Sequence, residues 1–429
     1  MSFIRKNFLQ ACDVPKDLQS VVSFDAQREV APGQLGLAQG NVDAIWQQTL
    51  KLYKTGIHPA ISISVRHKGE LILSRSVGHI SGNGPKDTVH TKKTLVTPDS
   101  PFCIFSSSKA VTALLMHMLA EEGLVNVMDP VAFYTPEFAK HGKQNITIHQ
   151  ILAHRGGIPG LPANATVDTL WDEEEIWRLL CDAKPIITDG SQLAYHAITG
   201  GFVLEQVVKK VTGSSITEYI DKKIRQPMAM KFFSYGIDGQ HLHELAMHYH
   251  TGFRPGLLTG KFIKRALGET LPNVEKACND PRFQEAVIPS GNLVATADEM
   301  SAFFQMLLDK GAYNGKRICK AQTVARTIQE YGNRGLDRTL LIPMRYSAGM
   351  MLGDDPVGIW GPQSRHAYGH LGLANKLCWA DPSRELAVAV LNSGLPLLGL
   401  HIPPLLNLIR TICNNIPVLG SPQTFSLQA

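Results

Sequence analysis

Two strand-like segments at opposite ends of the chain limit its fold more than any other feature. Ala60-Ile-Ser-Ile-Ser-Val-Arg66 and Leu71-Ile-Leu-Ser-Arg-Ser-Val77 flank a His67-Lys68-Gly69 turn and read as a β-hairpin. Lys376 to Ala380 and Leu386 to Leu391 carry the same signature far downstream, with Tyr346 to Leu352 as a further candidate. Helical spacing dominates between them, broken by turn signals at Gly156-Gly157, Pro159-Gly160, Asp189-Gly190 and Gly200-Gly201. The expected assembly is therefore α+β: one antiparallel sheet built from both chain ends, flanked by helices, with an inserted, mainly helical lobe. A helix from Gly40-Asn41 to about Tyr53 and a closing helix near 396–413 would cover the sheet. The expected parts are an irregular N-terminal extension (1–36), a sheet lobe (37–125 with 290–413), a mainly helical lobe (126–289) and a C-terminal tail (414–429).

Chemistry enters with Ser106-Ser107-Ser108-Lys109, which follows a short apolar run and opens a helical pattern ending near Gly123. Residues three apart share a helix face, so the Ser106 hydroxyl and the Lys109 amine can meet. A serine hydroxyl needs a neighbour to take its proton, and a lysine does this when burial or a nearby cation lowers its pKa. Starting the helix at Ser106 also aims backbone N–H groups at any anion that forms there. The competing explanation is a helix-capping run, with Ser107 or Ser108 as the cap.

Composition narrows the alternatives. With 429 residues, 44% hydrophobic and 18% charged, the chain is an ordinary globular protein with a large core. A net charge of +5 without basic runs gives no footprint for nucleic acid. Seven scattered cysteines without C-x-x-C favour reduced thiols, and with no secretory signal at the N-terminus the expected location is cytoplasmic. No apolar run reaches membrane-spanning length. The stretch from Gly394 to Leu419 comes nearest and reads as a buried closing helix. There is no G-x-S-x-G elbow and no glycine-rich phosphate loop. The histidines 241, 243, 248 and 250 form H-E-x-x-x-H rather than H-E-x-x-H, so no metal is expected.

Longer motifs carry a resemblance. Phe102-Cys-Ile-Phe-Ser-Ser-Ser-Lys-Ala-Val-Thr-Ala-Leu, Leu119 to Val131, Ile146 to Pro159 and Pro289 to Met300 together resemble the serine hydrolases related to class C β-lactamases, over most of residues 40–413. The resemblance implies a β-lactamase/penicillin-binding-protein-like fold and two further motifs. Tyr195-His196-Ala197 resembles the tyrosine motif, in which a phenol beside the lysine carries the serine proton to the leaving group. Gly369-His370-Leu371-Gly372 resembles the third motif, on a strand edge beside the nucleophile. By the same resemblance the oxyanion hole is the backbone N–H of Ser106 and of Leu373, with Gly372 allowing close approach to the substrate.

Two departures favour esters over β-lactams. His370 stands where β-lactamases carry the K-T-G lysine, and Ala197 stands where an asparagine binds the amide side chain. An H-x-G third motif resembles the esterase branch, the family VIII carboxylesterases. The implied activity is hydrolysis of a small-molecule carboxylic ester through an acyl-enzyme on Ser106, with no cofactor. Substrate contacts are expected from His370, Gly372, Ala197 and Trp360, with His370 orienting the substrate or tuning Tyr195, while Tyr346 is expected in the core. The same acyl-enzyme also suits an acyltransferase, amidase or β-lactamase. A non-catalytic scaffold of the same fold ranks last, because all three motifs are intact. The sequence leaves the oligomeric state open.

Overall fold

Both ends of the chain meet in one sheet. The computed structural model describes residues 9–162, 164–253, 270–332, 334–396 and 399–419. Among these, an antiparallel sheet of eight strands runs in the order Met351–Leu352, Tyr368–Gly372, Lys376–Asp381, Leu386–Asn392, Ala60–His67, Glu70–Ser81 and Val22–Phe24. Thr94–Leu95 pairs with Glu70–Ser81 as the eighth. The C-terminal strand Leu386–Asn392 lies directly against Ala60–His67, with Val388 opposite Val65. The Lys68-Gly69 turn closes the hairpin with both residues left-handed, at φ 51° and 88°, the conformation a tight hairpin turn needs.

Side-chain size decides what each face of the sheet receives. Ile61, Ile63 and Val65, with Leu386, Val388 and Val390, project into one core shared with the helices Gln39–Tyr53 and Ile402–Asn415. The alternate positions are small: Ser62, Ser64, Ala387 and Ala389. They let the helix Ala297–Leu308 lie close on the opposite face, where Ser64 Oγ meets Ser301 Oγ at 2.8 Å. Arg66 pairs with Asp298 at 2.6 Å and closes the edge of that contact.

The helix Ser108–Glu121 runs through the second core. Every residue from Ser108 to Leu119 is buried, which suits a segment apolar on all sides. It packs on the helices Thr199–Thr212 and Ala321–Ile328 and on the strand Tyr368–Gly372. That packing aims its first turn at the junction between sheet and helical lobe. Gly123, left-handed at φ 73°, follows its end.

Some expectations change. Residues 1–8 of the expected irregular extension lie outside the described residues, and residues 9–36 contain paired strands. Leu9–Gln10 pairs with Gly252–Phe253, and Val22–Phe24 forms the sheet edge beside Glu70–Ser81. Strands this short show no periodicity, and the sheet edge supplies what they lack. Of Tyr346 to Leu352 only Met351–Leu352 joins the sheet, because Ser347 turns the chain back by accepting from Met350 N–H. The closing helix begins at Ile402 rather than near 396. No helix among the described residues is long and apolar enough to cross a membrane. All seven cysteines are free and buried.

One buried cation pins that closing helix. Arg384, 2% exposed, pairs with Asp381 at 2.5 Å and donates to the carbonyls of Cys413, Ile416, Pro362 and Gln363. Removing it strands a buried carboxylate and leaves the helix C-terminus without its donor. Arg384→Ala should therefore cost about 3–5 kcal/mol in urea unfolding, as breaking a buried ion pair typically does.

Candidate active site

The three serines have three different partners. Ser107 Oγ donates to His370 O at 3.0 Å. Ser108 Oγ donates to Phe105 O and accepts from Leu293 N–H. Neither caps the helix; both tie its first turn to neighbouring segments. Ser106 alone of the three reaches a cavity. Just before it, Phe105 holds a left-handed backbone at φ 47°, a strained state for a bulky residue, and this turns Ser106 out of the core.

Lys109 is buried at the floor. Its Nζ lies 3.2 Å from Ser106 Oγ, 2.6 Å from Ala197 O and 2.9 Å from Ser290 O. Burial holds its pKa well below the usual 10.5. A neutral amine has two N–H bonds and one lone pair. The two carbonyls take both N–H bonds, which leaves the lone pair for the Ser106 proton. Ser290 reaches this position because the helix Thr199–Thr212 presents glycine to it. A Cβ on Gly201 would lie 2.3 Å from Ser290 Oγ and 2.5 Å from its N.

Tyr195 completes the arrangement. Its ring lies 4.8 Å from Lys109 Nζ, and its hydroxyl is near enough to the Ser106 side chain to feel it. Burial raises its pKa, Ser106 opposes that rise, and the nearby Asp337 carboxylate adds to it. Tyr195 therefore stays a neutral phenol, able to accept one proton while giving another. Around it the imidazoles are also neutral. Burial takes His196 down to about 4 and His154 well below 6.5.

Ser106 and Tyr195 open into a cavity of about 400 Å³. Val167, Leu170, Val274, Phe283 and Ile288 line it from the helical lobe, and Leu340, Ile342, Met351 and Leu371 from the other side. Its polar side chains are those of Ser106, Tyr195, Asn273 and Thr339, and no lining residue among those described is charged.

Comparison with known proteins fits this geometry. A model of the beta-lactamase family matches residues 43–401. The chain belongs to the beta-lactamase family. It is 27% identical over 327 residues to the esterase/beta-lactamase LipL of Mycobacterium tuberculosis, covering 69% of this chain and 70% of LipL. Protein flp of Staphylococcus aureus (strain MW2) is 24% identical over 277 residues, covering 63% of this chain and 49% of flp. Among solved structures, a family VIII carboxylesterase has a TM-score of 0.73 at 22% identity, covering 88% of this chain and 99% of that one. A penicillin-binding-protein homologue from Caulobacter crescentus has 0.72 at 23%, covering 88% and 98%. These structural likenesses show the β-lactamase/penicillin-binding-protein-like fold expected from the sequence.

Within this beta-lactamase-family member the third motif departs from expectation. His370 does not line the cavity. It is fully buried, its Nδ1–H donates to Leu371 O at 2.8 Å, and burial followed by Lys109 pushes its pKa down to about 3. Strand alternation sends it inward and leaves Leu371 at the cavity. Gly372 lines the cavity too, but its missing side chain serves a protein contact. A Cβ there would lie 2.4 Å from Ile104 O and 2.9 Å from Lys376 Cβ. Leu373 lines the cavity one residue on, as does Ala197, whose carbonyl holds Lys109. Trp360 does not line the cavity but stands behind one of its wall residues, Met351. This indole is fully buried, stacks on Trp379 at 5.6 Å and donates to Met351 O, within the core under the closing helix.

Lys376 does not replace the missing cation. Its Nζ is buried without a hydrogen-bond partner among the described residues, 4.6 Å from the Phe105 ring and behind the cavity wall. Burial brings its pKa down to about 8. The histidines of 241–250 part company: His241 pairs with Glu244, while His248 packs on Phe105. Sequence reasoning missed Asp337, and it quoted Phe105 and His154 inside motifs without seeing what they do. It quoted Ser290 inside a motif without seeing its carbonyl's role.

The lysine geometry predicts a pH dependence. Burial depresses the folded pKa of Lys109, so if its neutral amine takes the Ser106 proton, Ser106 reactivity should rise with pH along a limb whose midpoint lies well below 10.5. Lys109→Arg, protonated at every working pH, should show no such limb and almost no reactivity. Fluorophosphonate labelling of Ser106 across pH 5 to 10 measures both.

Proposed function

We propose that this beta-lactamase-like hydrolase cleaves carboxylic esters with uncharged, lipophilic acyl groups. The observation that carries the reading is the uncharged cavity at Ser106, among whose described lining residues no cation stands ready for a β-lactam carboxylate. Ser106 Oγ attacks the ester carbonyl as its proton passes to the Lys109 lone pair. The oxyanion is held by the backbone N–H groups of Ser106 and Leu373. Tyr195 gives its proton to the leaving alkoxide and regains one from Lys109, so the alcohol departs neutral. Water then attacks the acyl-enzyme, loses its proton to the same pair, and Ser106 leaves reprotonated with release of the acid.

Two properties of the site support this sequence of steps. Lys109 needs no separate base to deprotonate it, because burial already disfavours its charged form. Neutral His370 and Ala197 also bring no formal charge to the cavity, so binding rests on apolar contact. Each methylene buried in such a wall stabilises the complex by about 0.8 kcal/mol.

The test is a series of p-nitrophenyl esters from acetate to octanoate, with the β-lactam nitrocefin alongside and Ser106→Ala as control. The expected result is that kcat/KM rises by up to about fourfold per methylene until the cavity is full. Ser106→Ala should lose on the order of 10³-fold or more, as nucleophile removal does elsewhere. Nitrocefin should turn over far more slowly than the better esters. Nitrocefin turnover matching them would overturn the substrate reading.

A further inference from the structure

The segment carrying Tyr195 belongs to no helix or strand, so its backbone groups are secured one at a time. Ala194 N–H donates to His154 O at 3.0 Å, and His196 N–H donates to His154 Nδ1 at 3.2 Å. Between them, Tyr195 N–H donates to Asp337 Oδ1 at 3.1 Å, across 142 residues of sequence. Arg338 N–H adds a bond to Leu193 O at 3.0 Å, so the Asp337 turn and the tyrosine segment lie edge to edge.

Asp337 is fully buried, and no cation pairs with it among the described residues. Its Oδ1 also accepts from Thr339 N–H at 2.9 Å and Leu340 N–H at 3.0 Å, and its Oδ2 accepts from the Tyr346 hydroxyl at 3.1 Å. Four neutral donors on two oxygens fit the acceptor capacity of a carboxylate. Thr339 and Leu340 are themselves cavity wall. The Tyr346 ring packs on His154, whose ring packs on Tyr195 at 4.6 Å. The carboxylate thus joins three things: the backbone of the proton-carrying phenol, one wall of the cavity, and the aromatic support behind that phenol.

We propose that Asp337 is a positioning residue for Tyr195, tying the phenol to the Thr339–Leu340 wall so that proton transfer stays aligned when a substrate fills the cavity. This rests on the reading that Tyr195 carries the proton between Ser106 and the leaving group. Asp337 itself touches no reacting atom. Its negative charge also disfavours the phenolate of Tyr195.

The test compares wild type, Asp337→Ala, Asp337→Asn and Tyr346→Phe. Each is titrated with a fluorophosphonate, which bonds Ser106 Oγ to phosphorus as fluoride leaves, and then assayed on p-nitrophenyl butyrate per titrated site. Asp337→Ala should slow both labelling and kcat on the order of 10²-fold, as a small misplacement of a catalytic group does, with KM little changed. Asp337→Asn should recover most of the rate, because its carbonyl accepts the same N–H bonds while its NH₂ faces the Tyr346 oxygen. A purely structural role would lower the number of titrated sites and leave their turnover intact. Should Asp337→Ala not fold, Tyr346→Phe frees Oδ2 and must itself slow labelling. Wild-type rates per site in Asp337→Ala, or in Tyr346→Phe if the alanine variant does not fold, overturn the inference alone. A wild type inert to both reagents overturns the ester-hydrolase reading and this inference with it.

Discussion

A buried amine held by two carbonyls is the interaction on which the rest of the site depends. Lys109 Nζ sits between Ala197 O and Ser290 O, which come from the tyrosine segment and from the chain entering the sheet lobe. Those bonds lock three distant parts of the sequence around Ser106. They also set the protonation state, since an ammonium there would be costly to keep from water. Burial that would be a defect in a structural lysine suits this one to the role of base proposed for it.

The scaffold allows that burial by distributing size and strain. The helix Ser108–Glu121 runs through apolar packing on all sides, so its first turn cannot drift. Small residues on one sheet face and large ones on the other let helices approach at different depths. Gly372 removes a side chain where the strand presses on the turn that carries Ser106, and Gly201 removes one where the neighbouring helix presses on Ser290. The left-handed Phe105 stores strain at the one residue whose orientation decides whether Ser106 faces the cavity.

Electrostatics around the cavity follow a consistent pattern. Charged-capable groups lie behind its walls: Lys109 beneath, Lys376 behind Phe105, Asp337 behind Thr339 and Leu340. Burial keeps His154, His196 and His370 neutral. Among the described residues such a site has fixed dipoles and hydrogen bonds to offer a developing charge but no charged side chain lining it. That arrangement favours a transition state over a charged ground state.

The sequence alone determined the sheet built from both chain ends, the hairpin and the order of the motifs, because alternation and helical spacing are local properties of neighbouring residues. It also placed a hydroxyl and an amine on one turn, since three-residue spacing fixes that contact whatever the rest of the fold does. It failed where function depends on facing direction. His370 and Trp360 suit a substrate pocket by residue type, yet one points inward from its strand and the other lies under the closing helix. Val22–Phe24 looked irregular because three residues carry no period. The cavity wall, the Ser290 carbonyl and the Asp337 tether were hidden for a deeper reason. Each joins segments far apart in sequence through backbone atoms that every residue shares, so only the packed tertiary structure decides which of them meet.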